Sequence, residues 1–257
     1  MRDLFDVKGK VVLVTGGSRG IGEMVAGGFV RNGATIYISS RKREVCERIA
    51  AELSEYGPCV PLPFDLSSDE GIAGLAAALG EREARLDVLV NNAGANWAAP
   101  IDEYPEAGWD KVLTLNLRSP FFLTRALLPM LRAAATPEAP ARVINIASID
   151  GLNPPDLETY AYSSSKAGCV MLTRHLAKRL ASDHILVNAI APGPFQSHMM
   201  RETLERDGDV IREANPLKRI GTPEDIAGVA IFLASRASAY VTGAVVPCDG
   251  GVAQTAY

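Results

Sequence analysis

A chain of 257 residues is long enough to bury a sizeable core, and 47% hydrophobic with 22% charged residues is ordinary globular composition. The net charge of −4, with no basic stripe denser than Arg41-Lys42-Arg43, argues against nucleic-acid binding. No apolar run of about 18 residues is present, so no membrane span is expected. The cysteines at 46, 59, 169 and 248 are too scattered for a Cys-x-x-Cys pair, and His175, His184 and His198 make no ligand set, so no metal site is expected. The first residues lack a charged-then-apolar signal pattern, and a cytoplasmic location is the expectation.

Lys10-Val11-Val12-Leu13-Val14-Thr15 is a short Val-rich run, the pattern of a strand buried on both faces. It ends in Gly16-Gly17-Ser18-Arg19-Gly20-Ile21-Gly22, and a helical pattern follows through Met24, Val25, Phe29 and Val30. Thr35–Ser39 reads as the next strand, completing a βαβ unit. A helix over about 42–55, a strand at 59–63, a helix over about 67–83 and a strand at 88–91 continue the alternation. A long helical stretch from about Pro105 to Arg132 contains Asn116. A fifth strand at 142–146, the helix that begins at Tyr160, a sixth strand at 185–190, two or three helices over about 198–234 and a seventh strand at 244–248 complete the chain. This order predicts an α/β fold: one doubly wound, Rossmann-type domain over 1–257, with a seven-stranded parallel sheet and helices on both faces.

Each strand's carboxyl end carries a constellation. Gly16 can make a tight turn, Gly20 can let the backbone approach a pyrophosphate, and Gly22 can let the helix pack close to the sheet. Together with Ser18, Arg19 and Ile21 they form a dinucleotide loop at a helix N-terminus, where free N–H groups and the dipole favour phosphate. The second strand ends in Ser39-Ser40-Arg41-Lys42 with no carboxylate to meet a ribose 2′-hydroxyl. Arg41 can pair with a 2′-phosphate, with Arg19 and Ser40 alongside, so NADP(H) is favoured and NAD(H) is the alternative. Asp65-Leu66 ends the third strand, there to meet an adenine edge or to cap the next helix. Asn91-Asn92-Ala93-Gly94 ends the fourth, as a turn or as part of the ligand crevice.

Ser148 follows the fifth strand, and Tyr162 and Lys166 lie four apart on one helical face. A phenol beside an ammonium is a candidate acid/base, because the positive charge lowers its pKa. The serine hydroxyl can donate to a substrate oxygen while Tyr162 delivers a proton to it. Tyr160 has no lysine at that spacing.

Taken together, Gly16-x-x-x-Gly20-x-Gly22, Asn91-Asn92-Ala93-Gly94, Ser148 and Tyr162-x-x-x-Lys166 resemble the short-chain dehydrogenase/reductase family over essentially the whole chain. Later matches are Asn188 to Gly193, Gly221-Thr222-Pro223-Glu224-Asp225 and Asp249-Gly250-Gly251. The resemblance implies a catalytic tetrad of Asn116, Ser148, Tyr162 and Lys166, with Asn116 at a helix distortion that holds a water of a proton relay. Lys166 would also bind the nicotinamide ribose. Cofactor contacts are implied for Asn92, Ala93, Gly94, Pro192 and Gly193, and for Ser197, which stands where the family commonly has Thr.

The Ser148–Tyr162 interval is one residue longer than the family's commonest spacing. That interval, Ser197 and Trp97 look like the NADPH-dependent 3-oxoacyl reductases of rhamnolipid synthesis. A small-molecule ketone or secondary alcohol is then the expected substrate, most simply a 3-oxoacyl thioester. A sugar, steroid or small diol dehydrogenase, an epimerase of the extended relatives, and a catalytically silent redox sensor are the alternatives. Specificity is expected in 95–97, 149–159 and a lid over 194–215, where Phe195, Met199, Met200 and Leu204 are either lid lining or core. The family also implies a homotetramer, or a homodimer, built on the helices near 105–132 and 161–182.

Overall fold

The computed structural model describes residues 3–197 and 200–255. His198 and Met199 lie outside the described residues. Seven parallel strands form one sheet in the order β3-β2-β1-β4-β5-β6-β7: β1 (Val11–Thr15), β2 (Thr35–Ser39), β3 (Cys59–Leu62), β4 (Val88–Asn91), β5 (Ala141–Ile146), β6 (Ile185–Pro192) and β7 (Val245–Cys248). The strand order reverses between β1 and β4, which are paired from Val12 with Val88 to Val14 with Val90. A crevice opens at such a reversal, beyond the carboxyl ends of the strands.

The Val- and Ile-rich runs are strands because both faces are covered. Val12, Val14, Ile36, Ile38, Val90 and Ile144 pack with α1 (Gly20–Arg31), α2 (Arg43–Leu53) and α8 (Pro223–Ala234). The alternate residues Val11, Leu13, Tyr37, Leu89 and Val143 pack with α3 (Asp69–Gly80), α5 (Ser119–Ala134) and α6 (Tyr160–Leu180). The two-residue period of a strand divides one apolar run between two cores. On the first face, α1 and α8 approach so closely that a Cβ at Gly28 would lie 2.4 Å from that of Ala227.

The stretch read as helical over 105–132 is α4 (Glu106–Leu113), a π turn (Thr114–Arg118) and α5, and this π turn is the helix distortion expected at Asn116 from the family resemblance. Two other local features differ from expectation. Helix α3 begins at Asp69, later than expected, and is capped by Ser68, whose hydroxyl accepts from Gly71 N at 3.0 Å. Asp65 instead closes a local turn, accepting from Ser67 N and Ser67 Oγ. Finally, α7 (Arg201–Ala214) is kinked at Asp207, and a short α9 (Val252–Thr255) follows β7. No helix among the described residues is long and apolar enough to cross a membrane.

Candidate active site

The glycine loop joins β1 to α1. Gly16 and Gly20 have φ of +63° and +54°, left-handed values that side chains with a Cβ resist. A Cβ at Gly22 would lie 2.3 Å from Gly16 O, so α1 can approach the strand only without one. Arg19, the residue before α1, is extended, and no side chain caps the helix. The first-turn N–H groups of α1 are therefore left to an anion, and the loop fits a pyrophosphate. Ser18 is buried, while Ile21 packs against the core with its side chain.

The end of β4 supports this loop. Asn92 Nδ2 donates to Thr15 O at 2.8 Å and to Gly16 O at 3.2 Å. Thr15 Oγ1 accepts from the backbone of Asn92 and Ala93 at 2.9 and 3.0 Å. Asn92 thus shapes the loop with its side chain. Thr15, a lone hydroxyl ending an apolar run, was not singled out from the sequence. The polar end of that run was the available signal.

Ser40 and Arg41 lie in the short connection after β2. Among the described residues neither Arg19 nor Arg41 forms an ion pair, and both are exposed. Asp65 is exposed beyond β3, and the Leu66 side chain is buried in the core, so Leu66 can offer a ligand only its backbone. At the far side, Gly193 N donates to Cys248 O after Pro192 ends β6. Ser197 approaches the glycine loop: a Cβ at Gly20 would lie 3.1 Å from that of Ser197. The Ser197 hydroxyl accepts from Met200 N at 3.3 Å.

The expected tetrad converges at the ends of β4 and β5. Ser148 begins a 3-10 turn (Ile149–Gly151), and its Oγ accepts from Asp150 N at 3.1 Å. With that lone pair engaged, its proton is free to donate, and Ser148 is near enough to the Tyr162 phenol to favour its ionisation. Lys166 Nζ lies 5.5 Å from the Tyr162 ring centroid and donates to Ile146 O at 2.6 Å. Asn116 is buried and fully engaged: Nδ2 donates to Ala95 O at 2.9 Å and to Ser165 Oγ at 3.0 Å, while Oδ1 accepts from Ala95 N at 2.8 Å. Ser165 in turn donates to Tyr162 O at 2.7 Å. Asn116 therefore ties the loop after β4 to the π turn and to the helix carrying Tyr162. Ser165 and Ala95 are further members of this set, and the backbone contacts of Ala95 leave no mark in its residue type.

Burial dominates the electrostatics of the site. Burial pushes the Tyr162 phenol up to about 12, with Ser148 opposing it and Asp150 and Cys169 adding to it. Lys166 is pulled below its usual value by burial, with Cys169 and Asp150 opposing. The Lys166 ammonium, held by the Ile146 carbonyl, stays close to the phenol it serves. The site as it stands holds Tyr162 protonated, as a proton donor requires.

The three segments expected to shape specificity differ in kind. The Trp97 ring lies against Gly108 of α4 and beneath Lys111, whose Nζ is 5.2 Å from the ring centroid. The loop 149–159 is tied down at both ends: Asn153 Nδ2 donates to Ala253 O, and Glu158 accepts from the Ala99 and Ile101 amides. In the lid, Phe195 is 2% exposed and packs on Gly221, so it is core; Met200 and Leu204 are half-buried. Asn215 anchors the segment's far end through Asp249 O at 2.9 Å.

Comparisons with known proteins agree with this geometry. Residues 16–253 match the family model described as enoyl-(acyl carrier protein) reductase. The chain is 49% identical to the rhamnolipids biosynthesis 3-oxoacyl-[acyl-carrier-protein] reductase of Pseudomonas aeruginosa, covering 98% of this chain and 99% of that one. It is 33% identical to the 3-oxoacyl-[acyl-carrier-protein] reductase FabG of Thermotoga maritima, over 96% and 98% of the two chains. The solved Pseudomonas aeruginosa RhlG/NADP active-site complex superposes with a TM-score of 0.95 at 48% identity, over 98% of this chain and 100% of that chain. With the family model spanning residues 16–253 and a relative 49% identical over nearly the full length, the protein is an oxidoreductase belonging to the short-chain dehydrogenase/reductase family.

Proposed function

We propose that the protein reduces a ketone to a secondary alcohol with NADPH, and that its substrate is a 3-oxoacyl thioester or a similar hydrophobic ketone. The observation that carries this reading is the convergence of Ser148, Tyr162 and Lys166 beside an uncapped helix N-terminus. The substrate class follows the relative that is 49% identical over nearly the full length and named for 3-oxoacyl reduction. When bound, the nicotinamide supplies the hydride.

The chain's own residues do the rest. The Ser148 hydroxyl, its lone pair already engaged by Asp150 N, donates to the substrate carbonyl oxygen. Tyr162 passes its proton to that oxygen as negative charge develops there. The Lys166 ammonium stabilises the phenolate left on Tyr162, and Asn116 holds the π turn against the loop after β4. Metal ligation has no part in the reading. Arg19, Ser40 and Arg41 hold the 2′-phosphate, which favours NADP(H) over NAD(H); solved relatives at TM-scores of 0.95 and 0.89 are complexes with NADP and NADPH. Gly16, Ser18, Gly20, Ile21 and Gly22 cradle the pyrophosphate. Asp65, Leu66, Asn92, Ala93 and Gly94 line the adenosine side, while Pro192, Gly193 and Ser197 meet the nicotinamide. The segment 194–215 closes over the substrate.

The reading extends to a homotetramer, or a homodimer, in the cytoplasm, checked by light scattering and cell fractionation. NADPH oxidation measured across a panel of ketones and 3-oxoacyl thioesters, carried on acyl carrier protein and on coenzyme A, tests the chemistry. Turnover is expected to be highest with the 3-oxoacyl thioesters. Oxidation with none of the panel overturns the reading.

A further inference from the structure

Asp150 is a carboxyl that the reaction just described leaves unused. It stands two residues after Ser148, in the 3-10 turn that β5 runs into. Its backbone N–H donates to Ser148 Oγ, which fixes its position relative to the reacting hydroxyl. The next residue presses the turn onto the catalytic helix: a Cβ at Gly151 would lie 2.6 Å from Lys166 C and 2.8 Å from Lys166 Cβ. Asp150 is thereby held against α6 at the level of Tyr162 and Lys166. It is half-buried, and its carboxyl is neither hydrogen-bonded nor ion-paired among the described residues. A carboxylate so placed keeps its charge directed at whatever faces it.

Two titratable groups of α6 lie within reach of its charge. Tyr162 is acted on by Asp150 from the turn and by Cys169 from its own helix, and Lys166 by the same two. Burial and the nearby Lys166 act on Asp150 in opposite senses, burial being the larger and raising its pKa above the usual carboxylate value.

We propose that Asp150 is a positioning residue whose negative charge holds Tyr162 in its proton-donating form and so biases the site towards carbonyl reduction. The proposal rests on the reading of Tyr162 as the acid. Reduction needs the phenol; oxidation of the alcohol needs the phenolate. A carboxylate facing the phenol disfavours its ionisation, and the same charge favours the Lys166 ammonium. Neutralising Asp150 lets Tyr162 ionise at lower pH, so alcohol oxidation gains its base earlier. Lys166 then also loses its proton earlier, and the whole oxidation window moves down the pH scale.

The test is kcat/KM against pH for oxidation of the secondary alcohol, with saturating NADP+. Wild type is compared with Asp150→Asn, Asp150→Ser, Asp150→Glu and Tyr162→Phe. Asn and Ser keep the backbone donor to Ser148 and remove the charge; Glu restores it. The rising limb is expected to fall by about one pH unit in the two neutral variants and to return towards wild type in Asp150→Glu. A limb that stays in place in either folded neutral variant overturns the proposal. Failure of both to fold overturns it too, by making the carboxyl a structural group. Turnover retained in Tyr162→Phe has a separate meaning: it removes the acid on which Asp150 is said to act.

Discussion

Tyr162 shows what a residue's surroundings add to its spacing. The four-residue step to Lys166 identifies the pair, and burial, opposed by Ser148 and joined by Asp150 and Cys169, raises the phenol's pKa. Tyr162→Phe removes the transferable proton and keeps the ring, so kcat should fall about 10²–10⁴-fold. NADPH binding followed by fluorescence should stay near the wild-type value. Arg41 gives the second prediction at this scale. Its exposed guanidinium has no ion pair to lose, so Arg41→Ala should act through the nucleotide alone. The Michaelis constant for NADPH should rise about tenfold or more, the worth of a charge-assisted hydrogen bond. The constant for NADH should change little, and an equal rise for both would remove Arg41 from the 2′-phosphate. Gly16, Gly20, Gly22, Ser148, Tyr162 and Lys166 were legible because each rests on its own side chain or on lacking one. Thr15, Ala95 and Asp150 were not, since Ala95 acts through its backbone, while the Thr15 hydroxyl and the Asp150 carboxyl act on neighbours brought close only by the fold.

The π turn is hidden from apolar periodicity, although the family resemblance places a helix distortion at Asn116. The apolar pattern from Pro105 to Arg132 reads as one helix, because an extra residue in one turn displaces the stripe by less than periodicity resolves. What places the distortion is the side chain of Asn116, held by Ala95 on one side and Ser165 on the other. Ser165 then reaches the Tyr162 carbonyl, so the π turn and α6 move together. Asn116→Leu would strip partners from Ala95 N and Ala95 O and from Ser165. It should cost roughly 2–4 kcal/mol in denaturant unfolding, as buried unsatisfied groups do. It should also lower kcat by loosening Tyr162. Ser165→Ala, which leaves both Ala95 bonds in place, should show a smaller loss on both measures. Equal stability in Asn116→Leu and wild type would show that the clamp holds nothing. The start of α3 carries the same lesson: Asp65 and Ser68 both suit a cap, and only the chain's path decides that Ser68 takes it.

At the scale of the whole molecule, the parallel sheet was legible because strands buried on both faces must be apolar throughout. The apolar surface left over was not. In α6 the buried positions are mainly small or polar: Ala161, Ser165, Cys169, Thr173 and Ala177 let the helix lie close to the sheet. Leu180 is buried with them, but other large apolar residues of the helix face outward. Met171 is 61% exposed, and Leu172 lines a groove with Leu113, Leu117, Phe121 and Phe122 from α4, the π turn and α5. Trp109 and Phe121 are exposed on the same helices. A continuous apolar surface across α4 to α6 is what a second copy of the chain would cover in the proposed oligomer. Met171→Glu places a charge there, and burying an unpaired carboxylate opposes association. Light scattering should therefore give a smaller species for Met171→Glu than for wild type. Leu217→Glu, an equally exposed apolar position after α7, should leave the mass unchanged. Loss of mass in Leu217→Glu with none in Met171→Glu would move the interface off the α4–α6 face. A wild-type monomer would remove the oligomer altogether, while leaving the chemistry at Tyr162 untouched.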